Sequence, residues 1–163
     1  MHGFVFTSDV RQVLSKAREE AARLHNDHVD AEHIALAFTR ADTSAASVLR
    51  DMNVDPVALR ETMEHSVHAS DAPPPKGDLP YSTRAKKTLE HALDEAAGHG
   101  HDFVGVEHLL IGVIQESNGP AADVFTSHGA TADRVRAHLL AGHPENPARM
   151  PRPRGKRRFF GLF

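Results

Sequence analysis

The sequence predicts an all-α protein in which two four-helix repeats pack against each other as a pseudo-two-fold bundle. One observation is the apolar pattern. Hydrophobic residues make up 40% of the chain, Ala and Leu dominate among them, and they recur at helical spacing. The other observation is that the whole pattern occurs twice, which indicates an internal duplication. No segment alternates between apolar and polar residues as a half-buried strand would, so we expect no strands.

The duplication is visible when Phe6 is aligned with Tyr81. Beyond that pair, apolar positions, charged residues and two Glu–His pairs coincide, and one additional residue near Gly119 shifts the alignment by one position. The matched positions include Leu14 with Leu89, Glu20 with Glu95, Asp27 with Asp102, Glu32-His33 with Glu107-His108, and Arg60 with Arg136. We therefore expect both copies to fold in the same way.

Four helices are expected in each copy. The first, at residues 8–24 in the first copy, follows a hydroxyl residue, Thr7 or Ser82, that can cap free backbone N–H groups. The second contains the Glu–His pair and is apolar on most sides, which predicts a central position in its copy. A short third helix follows, and the fourth starts with Asp55 as the N-cap and Pro56 at the first helical position.

The Pro/Gly-rich segment SDAPPPKGDLP separates the two copies. We predict the first repeat at residues 1–68, the linker at 69–80, the second repeat at 81–143, and a disordered basic tail with an apolar end at 144–163.

Charge is distributed unevenly along the chain. Residues 144–163 contain six basic residues and one acid, a net charge of +5, whereas the other 143 residues carry 13 basic and 21 acidic side chains, or −8. An acidic body does not fit a nucleic-acid-binding domain.

The absence of cysteine excludes disulfides and thiol nucleophiles. Because no apolar run has the length of a membrane span and no signal-sequence pattern is present, we expect a cytoplasmic protein that binds neither membranes nor nucleic acid.

The two first-helix openings, FTSDVRQVLSKAREEA and YSTRAKKTLEHALDEA, resemble the Clp N-terminal (Clp repeat) domain, which stands at the front of ClpA- and ClpC-type unfoldases. The Glu–His motifs in VDAEHIALAF and VGVEHLLIGV belong to the same resemblance, which covers about residues 4–141, and YSTRAKK is close to the Y-T-P-R-A-K-K typical of ClpC proteins. A Clp unfoldase would continue into ATPase modules, but no G-x-x-x-x-G-K-[ST] phosphate loop is present. The ending PRPRGKRRFFGLF is also unlike the acidic linker that usually follows the domain. We therefore expect a stand-alone member of the family.

The resemblance also implies a ligand. In ClpC-type domains each repeat binds phosphoarginine, the mark that labels proteins for degradation. Carried over by motif, Thr7 and Ser82 would lie at the phosphate end of such a ligand, and Glu32 and Glu107 at its guanidinium end. The chemistry is suitable because a helix N-terminus and a hydroxyl donate to phosphate, while a carboxylate accepts from a guanidinium. The backbone N–H groups that would complete each cradle are those of Ser8, Asp9, Thr83 and Arg84.

The sequence departs from the family pattern in two ways. The usual G-T-E-H is D-A-E-H in the first copy and G-V-E-H in the second, so the hydroxyl before the acid is absent from both. Asp9 brings a negative charge to the first phosphate position, where the second copy has Arg84, and this makes the second site the better candidate. The alternative is that Glu32 and Glu107 only stabilise the first turns of their helices through the helix dipole.

The histidines favour structural roles. His33 and His108 are interpreted as capping or core-edge residues rather than ligands. The other histidines that could suggest a metal cluster lie in the predicted loops between the first and second helices of each copy: His25, His28, His99 and His101, the last beside Asp102. Their spacing matches no metal-binding motif. We therefore expect no metal, no cofactor and no catalysis.

The C-terminal residues RGKRRFFGLF form the second unusual segment. Clp unfoldases engage the ClpP peptidase through loops with an apolar-Gly-apolar tripeptide, and Phe160-Gly161-Leu162 resembles these loosely. The expected docking residues are Arg157, Arg158, Phe159, Phe160, Leu162 and Phe163. Three alternatives remain: contact with an anionic membrane surface, folding back onto the acidic body, or a solvated end without a role.

These features predict a non-catalytic Clp N-domain protein that binds protein substrates or degradation tags, with phosphoarginine as the candidate, and that acts as an adaptor or regulator of a Clp protease. Its expected partners are a Clp unfoldase or peptidase and arginine-phosphorylated or unfolded proteins. The alternative is a structural accessory subunit that docks on the peptidase or unfoldase through the tail.

Overall fold

Eight helices and two very short strands form the part of the chain that the computed structural model describes, residues 5–116 and 119–141. The first four helices are α1 (Ser8–Arg23), α2 (Ala31–Phe38), α3 (Ala45–Asp51) and α4 (Pro56–Ser66). The second four are α5 (Thr83–Gly98), α6 (Val106–Gln115), α7 (Pro120–Ser127) and α8 (Ala132–Leu140). The strands are β1 (Val5–Phe6), before α1, and β2 (Phe103–Val104), before α6. The predicted all-α class, with four helices in each copy, is confirmed.

The helix starts follow the predicted capping chemistry. The hydroxyl of Thr7 accepts a hydrogen bond from the Val10 amide at 3.1 Å, and that of Ser82 accepts one from the Ala85 amide at 3.0 Å. The Asp55 side chain caps α4 in the same manner. These bonds satisfy N–H groups that the first turn of a helix leaves without a partner, so the starts of α1 and α5 are fixed at equivalent positions.

The expectation that strands are absent was wrong. β1 and β2 pair in parallel, with Phe6 opposite Val104, and an isolated bridge joins Val29 to Tyr81 at the equivalent position. Two-residue pairings are too short to show the alternation by which a strand is recognised in sequence. Both pairings cross between the repeats. They place the start of α1 beside α6 and the start of α5 beside α2.

The two central helices, α2 and α6, lie in the core. Every residue of α2 is buried, and so is every residue of α6 from Val106 to Val113, which confirms their predicted central position. α1 packs against α2 and α5 against α6 within the repeats, while α2 contacts α6 and α4 contacts α7 between them. One cluster of buried apolar side chains includes members of both repeats, among them Phe38 and Phe125.

The division of the chain into two repeats, a linker and a tail stays a prediction, and residues 142–163 lie outside the described part. Within the described residues, no helix combines the length and the apolar character needed to cross a membrane.

Candidate functional site

The two acids that the sequence singles out occupy equivalent positions at the starts of the central helices. Glu32 is the second residue of α2 and Glu107 is the second residue of α6. Both are buried, with 8% of Glu32 and 0% of Glu107 exposed. A carboxylate in the first turn is favoured by the helix dipole, but a buried carboxylate also needs partners. The partners differ between the two positions and define two sites.

Each hydroxyl residue lies beside the acid of the opposite repeat. The Ser82 amide donates to a carbonyl just before α2 at 2.9 Å, and the Thr7 amide donates to a carbonyl just before α6 at 3.1 Å. The structure thus groups Thr7 with Glu107 and Ser82 with Glu32, because the two parallel pairings cross between the repeats.

The first site, called the Glu32 site, consists of Asp30, Glu32, Ser82 and Arg84. Arg84 Nη2 donates to Glu32 Oε1 at 2.6 Å, and Arg84 Nη1 donates to Asp30 Oδ2 at 3.3 Å. The Ser82 hydroxyl donates to Asp30 Oδ1 at 2.8 Å. A guanidinium of the chain itself therefore lies on the acid pair, beside the N-terminus of α5.

Burial and these contacts compete in setting the pKa values of the site. Burial acts to raise the pKa of Asp30, but hydrogen bonds from the Ser82 hydroxyl and the Ala31 amide outweigh it, so the pKa is lowered. Burial raises the pKa of Glu32, and the Arg84 hydrogen bond does not fully offset it. For Arg84, burial acts to lower the pKa, but the bond to Glu32 and the neighbouring carboxylates raise it. The guanidinium therefore remains charged on the acid pair.

The second site, called the Glu107 site, consists of Thr7, Gly105, Glu107 and His138. His138 Nδ1 lies 3.4 Å from Glu107 Oε1, and its Nε2 lies 3.4 Å from Asp51 Oδ2. His138 is on α8 and therefore bridges an acid at the start of α6 and an acid at the end of α3. Because Glu107 is fully covered, a ligand contacts it only after its neighbours move.

The two sites differ in charge. Asp30 and Arg84 of the Glu32 site have Gly105 and Asp9 at the equivalent positions of the other copy. One site thus has an acid pair with a guanidinium already on it, and the other has a single buried acid beside an imidazole. The second repeat was preferred because Asp9 brings a like charge to the first phosphate position, where the second copy has Arg84. In the structure Arg84 lies in the Glu32 site and contacts the acid, and the preference itself stays a prediction.

His33 and His108 cap the central helices. Each accepts the N-cap amide of its helix on Nδ1, at 2.8 Å and 2.9 Å respectively. Since Nδ1 accepts, the proton of each neutral ring is on Nε2, which faces Asn26 Oδ1 at 2.7 Å and His101 Nδ1 at 3.0 Å. Burial lowers the pKa of both to about 4. The geometry agrees with capping and leaves neither ring open to a ligand.

The loop histidines are engaged in local contacts. In the second repeat His101 stacks on His99, with ring centroids 5.7 Å apart. In the first repeat His25 Nδ1 lies 3.0 Å from the Ala72 carbonyl, and His28 lies against Asp27. Nowhere in residues 5–116 and 119–141 do three or more histidine, aspartate or glutamate side chains form a group that could hold a metal ion.

Each repeat contains a buried or partly buried ion pair that was not predicted from the sequence. Glu20, which is 1% exposed, accepts from Arg60 Nη2 at 2.7 Å. Glu95 accepts from Arg136 Nε at 2.7 Å and from its Nη2 at 3.1 Å. Burial acts to raise the pKa of Glu20, but hydrogen bonds from Arg60 and a second arginine outweigh it and lower the pKa. The alignment of the two copies already matches both acids and both arginines, and this repetition was the available signal. Both pairs join the first helix of a repeat to its fourth.

The docking residues predicted in the tail lie outside the described residues. They are Arg157, Arg158, Phe159, Phe160, Leu162 and Phe163.

Comparison with known proteins places this chain and its fold in one family. The family model of the Clp repeat (R) N-terminal domain matches residues 5–141. The chain is 36% identical over 143 residues to ClpC of Staphylococcus aureus, an ATP-dependent Clp protease ATP-binding subunit. That match covers 85% of this chain and 17% of the relative.

Two solved structures have the same fold. The Hsp104 N-terminal domain from Candida albicans superposes with a TM-score of 0.68 at 18% identity, covering 85% of this chain and 92% of that one. The N-terminal domain of ClpD from Arabidopsis thaliana superposes with a TM-score of 0.60 at 19% identity, covering 83% and 92%. At these identities the superpositions support the fold alone.

Proposed function

Because the chain belongs to the Clp repeat N-terminal domain family, we propose that it is a non-catalytic binding module of a Clp protease system that recognises phosphoarginine on protein substrates. Thr7 and Ser82 contact the phosphate end of the ligand, and Glu107 and Glu32 accept the guanidinium end. Each ligand lies between the two repeats, since the backbone amide of each hydroxyl residue donates to a carbonyl just before the central helix of the other copy.

One observation carries this proposal: the Glu32 site already holds a guanidinium. Arg84 donates to Glu32 Oε1 at 2.6 Å, and the Ser82 hydroxyl and the N-terminus of α5 lie next to it. The acid is thus placed to accept a planar cation, and the adjacent helix end is suited to an anion. A phosphoguanidine carries both groups on one short side chain.

The chain spans about 17% of the length of the curated relatives it matches. The activity of those whole proteins, which are named as ATP-binding subunits of a protease, is therefore not carried over. What the family contributes here is a binding domain. Its role as an adaptor or regulator of a Clp unfoldase or peptidase, and the alternative of a structural subunit docked through the tail, remain part of the proposal.

Calorimetric titration of free phosphoarginine into the whole chain tests the binding function. We expect saturable binding at two sites, and Glu32→Gln or Glu107→Gln should each weaken binding at its own site about ten-fold or more, because the substitution removes the charged acceptor of the guanidinium there. Glu90→Gln, which removes an exposed acid from α5, is the control and keeps full binding. A flat titration with folded wild-type protein contradicts the proposal.

A further inference from the structure

Arg84 divides its two hydrogen bonds between the two acids of the Glu32 site and forms no fork on a single carboxylate. Its guanidinium gives one bond to Glu32 and a longer one, 3.3 Å, to Asp30. Arg84 Nε is buried and has no hydrogen-bond partner in the part of the chain that the structure describes. By contrast, Arg136 donates from Nε and Nη2 to both oxygens of Glu95, at 2.7 Å and 3.1 Å. A fork of two hydrogen bonds on one carboxylate is the stronger arrangement. A guanidinium that forms such a fork on Glu32 can therefore displace Arg84.

The surroundings of Arg84 also leave an excess of negative charge. Asp30 and Glu32 both accept hydrogen bonds from its guanidinium, and the charge of Glu116 also acts to raise the pKa of Arg84, so three acids act on one cation. The pair Asp30 and Arg84 occurs in this site alone, because the equivalent positions in the other copy are Gly105 and Asp9. Asp30 and Arg84 therefore act as a pair that distinguishes the Glu32 site from the Glu107 site.

Space at the site is limited. A side chain on Gly119 would overlap the Arg84 guanidinium and come within 2.6 Å of Glu32 Oε1. The backbone at Gly119 thus lies directly against the ion pair. A second guanidinium cannot be added at Glu32 Oε1 while Arg84 is in place, and an incoming one must displace it.

We propose that Arg84 is the specificity-determining residue of the Glu32 site, exchanging places with the ligand's guanidinium and then pairing with its phosphate. This inference rests on the proposed function of the site. Arg84 is the second residue of α5, next to the helix end that faces the phosphate, so the exchange needs only a side-chain movement. Plain arginine displaces Arg84 without offering it a new partner, whereas phosphoarginine supplies a dianion. The site therefore selects the phosphorylated form.

The test compares phosphoarginine with free arginine in a Glu107→Gln background, which leaves only the Glu32 site. With Arg84→Gln added, no internal guanidinium competes with either ligand, so arginine binds more tightly. Phosphoarginine gains less than arginine or binds more weakly, because its phosphate also loses a partner. The preference for phosphoarginine is expected to fall about ten-fold or more, close to 1.4 kcal/mol. Lys87→Gln, which removes an exposed positive charge from the same helix, is the matched control and leaves the preference unchanged.

Each other outcome is informative. An unchanged preference, or an equal gain for both ligands, overturns the assignment of Arg84 as the selecting residue while the binding function stands. If phosphoarginine fails to bind wild-type protein, the proposed function fails, but exchange is still tested by arginine. Arginine binding that appears with Arg84→Gln and disappears when Glu32→Gln is added supports the displacement of Arg84 from Glu32 by an incoming guanidinium. No arginine binding to a folded Arg84→Gln variant, as judged by its thermal unfolding, overturns it.

Discussion

At the residue scale, the two capping histidines set the response of the fold to acid. His33 and His108 each use Nδ1 to accept the N-cap amide, which is possible only for the neutral ring. Burial lowers the pKa of both from an ordinary 6.5 to about 4. The unfolded chain therefore binds protons at these residues below pH 6.5, while the folded chain does so only near pH 4. Stability must fall as the pH is lowered through this interval.

We expect the free energy of unfolding to decrease between pH 6.5 and about 4.5 by up to about 1.4 kcal/mol per pH unit for each of the two histidines. The double variant His33→Gln, His108→Gln keeps a side-chain acceptor suited to the third helical position but cannot titrate, so its slope is smaller. Urea denaturation at a series of pH values measures both slopes. His68→Gln, which removes an exposed imidazole, is the control, and equal slopes for the double variant and the wild type would contradict the prediction.

At the element scale, the order and starts of the helices were predictable because capping residues and apolar spacing are local. Thr7, Ser82 and Asp55 act as the sequence indicated. The two-residue strands were not predictable, since nothing in VF or FV distinguishes them from loop. The sites were predicted only in part. Alignment of the copies shows that Glu32 corresponds to Glu107, but this equivalence does not show which residues of one repeat contact those of the other.

The contact between α5 and α6 depends on a glycine. A Cβ at Gly112 would overlap the Thr88 carbonyl oxygen and lie 3.2 Å from the Ala92 amide nitrogen, both on the backbone of α5. Because both are backbone atoms, α5 and α6 would have to move apart to remove the overlap. Gly98, at the end of α5, has no atom within 4 Å of the position where its Cβ would lie, so it provides a matched comparison.

Gly112→Ala is expected to destabilise the protein by about 1–3 kcal/mol, because an added methyl group overpacks a close helix contact. Gly98→Ala should leave stability unchanged or raise it by about 0.5 kcal/mol, since alanine is the better helix former. Chemical denaturation of the two variants beside the wild type measures the difference. Equal effects would show that α5 and α6 are not held at this distance by Gly112.

At the scale of the whole molecule, the repeats are joined by contacts of several kinds. β1 pairs with β2, Arg84 joins the Glu32 site across the repeats, and Arg134 of α8 donates to the Met52 carbonyl at the end of α3. The apolar cluster runs through both copies. A duplicated sequence suggests two units that could be independent, whereas these contacts make each copy part of the other's environment.

We therefore expect the two repeats to unfold together in a single transition. Tyr81 is the one tyrosine of the chain, which has no tryptophan, and it contacts Arg18 of the other repeat with its hydroxyl and its ring. Its fluorescence reports the junction of the repeats, while far-UV circular dichroism reports all helices. Under urea the two signals should change at the same midpoint.

Arg134→Gln removes a hydrogen bond between the repeats and should lower that midpoint for both signals equally. A tyrosine transition that precedes the loss of helix, in either protein, would mean that the repeats separate before they unfold and that the sites between them can open without loss of the helices.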